Sequence, residues 1–209
     1  MVSGRRDLFL YYKAVEMLTT ALKPPEAAGV YESMLDYIGR WNLPDGEKLS
    51  YTLAIQANLA TCYNRLGRDE ESIALHRSLY SQRVALRGRT HPDTLVAAHN
   101  HLNTLLATGR FDAGKAFLHE IAEDTSALAP GSFMDIKFRS LHGLILVHQN
   151  APSLDDYCKA VGIFEDLNKK LRRVMGANHP ETVTNEKYLG DARERLRLRL
   201  IGDPAHAEH

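Results

Sequence analysis

Between Ser50 and Glu120 one helical hairpin is written twice, and this self-copy restricts the fold more than any other feature of the chain. The first copy reads as a helix through Leu53, Leu59 and Tyr63, a turn at Gly67-Arg68, and a second helix through Ile73, Leu79 and Val84. A shift of 42 positions lays Asn58 on Asn100 and Gly67-Arg68 on Gly109-Arg110. Between the copies runs the connector Arg89-Thr90-His91-Pro92-Asp93-Thr94-Leu95. A near copy of it, Asn178-His179-Pro180-Glu181-Thr182-Val183, follows 88 positions later, which is two periods of 44. A unit of this length cannot bury its apolar face alone and must stack on its neighbours, so the period predicts a solenoid of stacked hairpins.

These residues resemble the tetratricopeptide repeat, in the long-period form found in kinesin light chains. A repeat of that family commonly reads as an Asn-Leu-Ala helix, a Gly-Arg-Tyr turn, a second helix with an Arg-rich end, then a Gly-containing loop and His-Pro-Asp. Asn58-Leu59-Ala60, Tyr63, Gly67-Arg68, Arg83 to Gly88 and His91-Pro92-Asp93 match that pattern. The second copy departs from it: His101 stands at the position of Leu59, Leu102 at that of Ala60, and Gly114 is expected to interrupt a helix. The resemblance covers residues 50 to 112 most closely, extends to 153–190, and elsewhere rests on periodicity. It implies an all-α, right-handed α-solenoid of antiparallel helical hairpins. The expected layout is one domain over 1–200, with hairpins at about 6–42, 47–88, 92–126 and 133–175, a capping helix at 181–200 and a disordered tail at 201–209.

Local signals agree with this layout. Leu8, Tyr11, Val15, Leu18 and Leu22 recur at intervals of three and four and predict a helix from Asp7. Lys23-Pro24-Pro25 ends it and starts the next, because proline lacks a backbone donor yet suits a first helical turn. That next helix runs through Ala28, Tyr31, Leu35 and Ile38 to about Trp41. Small residues at Ala60 and Ser72 allow the third and fourth helices, about 47–66 and 69–86, to approach, and Gly143 takes the small position of a later pair. In the connector, Thr90 or His91 caps the following helix, Pro92 opens it, and Asp93 sets negative charge at its positive end. Further helices are expected at about 92–108, 111–124, 133–149, 153–175 and 181–200. The last has no partner left and carries Arg193, Arg195, Arg197 and Arg199, which with Glu186, Asp191 and Glu194 reads as a solvated cap.

Composition narrows the function classes. The 44% hydrophobic content suffices for a continuous core, and 26 basic residues balance 26 acidic ones. No long-range field therefore draws the whole molecule to nucleic acid or to an anionic membrane. The longest early apolar run, Leu8 to Tyr12, is too short for a signal peptide or a membrane span. Cys62 and Cys158 have no metal or redox spacing and read as small hydrophobes in a reducing compartment. The expectation is a cytoplasmic protein without a membrane or nucleic-acid partner.

Chemistry finds little footing. Of ten histidines, His99 and His101 point to different faces of a helix, His142 and His148 are six apart, and His91 and His179 belong to separate connectors. None has the helical i, i+4 companion of a zinc motif. No nucleophile elbow or phosphate-cradling glycine loop occurs. No metal, cofactor or catalytic residue is expected.

The resemblance does imply a binding face. In tetratricopeptide arrays the first helix of each pair lines the concave side. Carried over by position, that face offers Tyr12, Lys13 and Glu16, then Ala57, Asn58, Thr61, Asn64 and Arg65, then His99, Asn100 and Asn103, and further along Lys137, Ser140 and His148. An asparagine amide both donates and accepts, so Asn58 and Asn100 suit a peptide main chain. The expected function is a non-enzymatic scaffold or adaptor that binds a protein or peptide segment. Self-association as a homo-oligomer and an enzyme-regulatory role stand as alternatives.

Overall fold

The computed structural model describes Lys13, residues 23–40 and residues 44–202. The first expected helix, and Tyr12 and Glu16 with it, therefore lies outside the described residues, apart from Lys13, which is helical and exposed. The helices are α1 (Pro24–Ile38), α2 (Asp45–Arg65), α3 (Asp69–Arg87), α4 (Pro92–Ala107), α5 (Phe111–Glu120), α6 (Ala122–Ser126), α7 (Phe133–His148), α8 (Leu154–Met175) and α9 (Pro180–Gly202). Among the described residues there is no strand, and the fold is an all-α solenoid of antiparallel hairpins. Contacts group the chain into two compact units, Met1–Gly88 and Arg89–His209.

In the first unit α1 packs on α2 and α2 on α3. The core between α1 and α2 joins Ala27, Ala28, Tyr31, Met34 and Ile38 to Ile55, Leu59 and Cys62. Ser72, fully buried, donates its hydroxyl to the Ala60 carbonyl at 2.8 Å, so the two small residues bring α2 and α3 together. The turn between these helices depends on Gly67 at φ 71°, a left-handed conformation that a Cβ disfavours, and Gly109 repeats it at φ 74°. The Arg68 guanidinium lies 3.9 Å from the centre of the Tyr63 ring and binds both carboxylate oxygens of Glu71, while the Tyr63 hydroxyl donates to Glu32. At the first Gly-Arg pair the turn thus has a clamp beside it, whereas the second has Leu105 and Ala113 where Tyr63 and Glu71 stand.

The second unit pairs α4 with α5 and α7 with α8, and α9 packs along α8. Leu146, Val147, Ala160, Phe164, Leu167 and Leu171 share one core with Leu189 and Ala192 of α9. The two His-Pro connectors are built alike. His91 Nδ1 accepts the Asp93 backbone N–H at 3.1 Å and His179 Nδ1 accepts that of Glu181 at 3.2 Å, each imidazole serving as the helix cap. Ser153 and Asp156 form a reciprocal capping box at the start of α8.

Three expectations are corrected here. Gly114 does not interrupt a helix: it is buried within α5, where a Cβ would lie 2.7 Å from Leu106 Cδ1, so its small size admits close packing. The helix expected at 111–124 breaks at Ile121, whose ψ of 12° leaves the helical range. Arg89 explains the break, since its Nη2 donates to the Glu120 carbonyl at 2.8 Å and its Nε to the Asp124 carboxylate, taking an acceptor from the helical ladder. Finally, α9 continues through Ile201 to Gly202 rather than ending at 200. Its outer side is laced by ion pairs from Arg195 to Asp191 and from Arg197 to Glu194.

Candidate functional site

The sequence-nominated residues fall into two sets, one on each unit. On α2, Thr61 and Arg65 are exposed, Asn58 and Asn64 are half-buried, and the Thr61 hydroxyl donates back to the Ala57 carbonyl at 3.1 Å. On α4, Asn103 is exposed while His99 and Asn100 are half-buried. The 42-position shift makes Thr61 the counterpart of Asn103 and Asn58 that of Asn100.

In the second unit α4, α7 and α9 border a cleft of about 280 Å³ with Leu167 and Leu171 of α8 in its wall. His99 and Asn103 enter it from α4, Lys137 and Ser140 from α7, and Glu181 and Tyr188 from α9. Asn100 is not part of this lining. It sits one residue from His99, about 100° around the helix, and its Oδ1 lies 3.4 Å from His99 Nδ1. His148 is also elsewhere, stacked on Phe111 at 5.2 Å and within 3.4 Å of Asp191.

The cleft is polar at its mouth and apolar beneath. Lys137 Nζ and Glu181 Oε1 meet at 2.6 Å and bridge α7 to α9, with the ammonium also 5.2 Å from the centre of the Phe133 ring. Burial pushes the His99 pKa down and the Lys137 charge adds to this, against the opposing influence of Asn100 and Glu181. The ring is therefore neutral at pH 7 and has one donor and one acceptor nitrogen. Asn185, only 3% exposed, donates Nδ2 to the Phe164 carbonyl at 2.9 Å, and its buried Oδ1 has no protein partner. A buried acceptor of this kind costs free energy until a donor reaches it.

Sequence reasoning missed Glu181, Asn185 and Tyr188 because α9 read as a seal. The signal was their spacing of four and three, which sets all three on one helical face. Among the described residues no three His, Cys, Asp or Glu side chains converge as metal ligands, and no helix is long and apolar enough to cross a membrane.

Residues 51–118 match the tetratricopeptide repeat family model. That stretch of the chain is a tetratricopeptide repeat region. The chain's fold is similar to the crystal structure of the nearly identical TPR-like repeats of a Podosopora anserina kinesin light chain. The TM-score is 0.68 at 14% identity, over 92% of this chain and 87% of that one. A second crystal structure of those repeats matches with a TM-score of 0.67 at 15% identity, over 92% and 88% of the two chains. Among curated proteins no sequence relative matches. Tetratricopeptide repeats in general form protein-interaction scaffolds, and arrays like this one are typically non-enzymatic.

Proposed function

We propose that the protein is a cytoplasmic, non-enzymatic adaptor that holds a linear segment or helix of a partner protein in the cleft between α4, α7 and α9. The observation that carries this reading is the convergence of His99 and Asn103 with Lys137, Glu181 and Asn185 over an apolar floor. A peptide main chain presents N–H donors and C=O acceptors in alternation, and a neutral imidazole, two amides and an ion pair can answer both. The wall formed by Ile136, Leu144 and Leu171 would take an apolar side chain of the same segment. On the first unit, Lys13, Asn58, Thr61, Asn64 and Arg65 are proposed as a recognition surface of their own, with Asn58 acting on a partner's backbone, and Asn100 of the second unit, outside the cleft lining, is proposed for the same role there.

The test is selection of a displayed peptide library on the full chain, followed by calorimetric titration of the selected peptides against variants. The few hot-spot side chains near an interface centre each cost more than about 1 kcal/mol when truncated, and with His99 and Asn103 in that role His99→Ala/Asn103→Ala should weaken binding at least about fivefold. Arg197→Ala, on the outer side of α9, should leave affinity unchanged. Peptides that bind the cleft variant as tightly as the wild type would refute the site. Failure to select any peptide, together with a concentration-dependent rise in sedimentation mass, would favour a self-assembling subunit.

A further inference from the structure

The opposite side of α7 borders a second pocket, and it arises from the break in the preceding hairpin. The second helix of that hairpin, α5, has 10 residues, against 19 in α3 and 22 in α8. Its start is tied to the end of α7, with Lys115 Nζ donating to Gln149 Oε1 at 2.7 Å and Asn150 donating to Asp112. Beyond Ile121 the chain turns into α6, and a space of about 320 Å³ remains between α5, α6 and α7. That volume lies at the low end of small-molecule pockets, roughly 300–1,000 Å³. Leu118, Ala122 and Leu128 face Phe138, Ile145 and Leu146 across it.

The charges at this pocket are unequal. Lys115, His119 and His142 belong to its lining. Lys115 is held by a neutral amide oxygen, so its charge is not cancelled by that bond. His142 is exposed at the pocket's edge, and partial desolvation with the nearby Lys159 and Lys115 ammoniums pushes its pKa down. Of the remaining charged groups, Arg139 is paired with Asp166 at 2.8 Å and Lys159 with Asp155 at 2.5 Å. Asp135, the single carboxylate of the lining, accepts the Gly131 backbone N–H at 2.6 Å. An apolar chamber with three cationic or protonatable groups and an already engaged acid complements a molecule with a hydrocarbon body and an anionic head.

We propose that this pocket binds a small amphipathic carboxylate, with its hydrocarbon among Leu118, Phe138 and Ile145 and its carboxylate beside Lys115, His119 and His142. The site is separate from the cleft at His99, because the two use different faces of α7: Lys137 and Ser140 on one, Phe138 and His142 on the other. Occupancy would fill the space left by the shortened helix and brace α6 against α7.

The experiment is a backbone-amide NMR titration of the full chain with octanoate, octanol and octylammonium in parallel at low ionic strength. Octanoate should shift amides within 115–128 and 135–146 and bind about fivefold tighter than octanol, the upper range for a partly exposed ion pair. Lys115→Gln/His119→Gln should bring octanoate to the level of octanol. Both substituted residues are exposed, so the fold should survive. Ala122→Trp, also at an exposed position, should fill the pocket and abolish binding of both ligands. Equal or tighter binding of octylammonium, shifts centred on other residues, insensitivity to Ala122→Trp, or no saturable binding of any ligand would each overturn the proposal.

Discussion

Gly143→Ala should destabilise the protein although alanine is the better helix former. Gly143 is buried on α7, and a Cβ built there lies 2.6, 2.9 and 3.0 Å from three ring carbons of Phe164 on α8. Carbon pairs prefer about 3.5–4.0 Å, so the ring would have to withdraw by roughly 0.5–1 Å. Phe164 is wholly buried among Leu146, Ala160 and Leu189, and has no free space to enter. Overpacking of this kind costs about 1–3 kcal/mol, while replacing a mid-helix glycine by alanine returns about 1 kcal/mol. The expected net loss is up to about 2 kcal/mol. Gly162→Ala on α8 supplies the control, because its Cβ would meet nothing within 4 Å and should stabilise by about 0.5–1 kcal/mol. Urea unfolding followed by far-UV circular dichroism would measure both, and the same Gly143 substitution in a Phe164→Leu background should cost less because the smaller side chain can yield. Equal effects at positions 143 and 162 would refute the close approach of α7 and α8.

Acidification should destabilise the fold through His76, which burial pushes down to about 4 from 6.5. The unfolded chain binds a proton that the folded one refuses, so stability is full above pH 6.5, falls between pH 6.5 and about 4, and loses on the order of 3 kcal/mol. His76→Leu should flatten that part of a urea-derived stability profile, and an unchanged slope would remove His76 as its source. Arg89→Ala should cost about 1.5–3 kcal/mol, because the nearly buried Asp124 loses its charged partner and the Glu120 carbonyl its donor. Hydrogen exchange in residues 118–126 should rise with it, and unchanged protection there would show that Arg89 does not hold the helix break.

Features set by neighbours along the chain were legible in the sequence. Pro24, Pro92 and Pro180 open the helices they were expected to open, or sit beside the expected start, and Gly67 and Gly109 mark their turns because few residues tolerate that conformation. Gly143 was identified as the small inter-helix position, and its neighbour Phe164 shows why. Long-range causes were not legible. The break at Ile121 depends on Arg89, 31 positions before Glu120, and nothing in the helical periodicity of 111–124 announces it. The cleft likewise needs Glu181 and Tyr188 from a helix that its terminal position and arginines presented as a seal.

The second hairpin's departures from the repeat pattern follow a packing rule rather than decay. Where the first hairpin sets Ala60 against Ser72, the second has the larger Leu102, and position 114, the counterpart of Ser72, has shrunk to glycine. Where the first has Leu59 and Leu75, the second has His101 and Phe117, whose rings meet edge to face at 4.7 Å. In the third pair the small residues are Gly143 and Ala160, and the space admits Phe164. The second and third hairpins thus balance a large side chain with a small one across the helix pair, where the first sets two small residues together, which is what close packing demands and a fixed motif does not. The rule also separates the glycines. At Gly114 the nearest atom to a Cβ is the tip of a flexible leucine, whereas at Gly143 it is an enclosed ring, so the second site should tolerate a methyl group less well than the first.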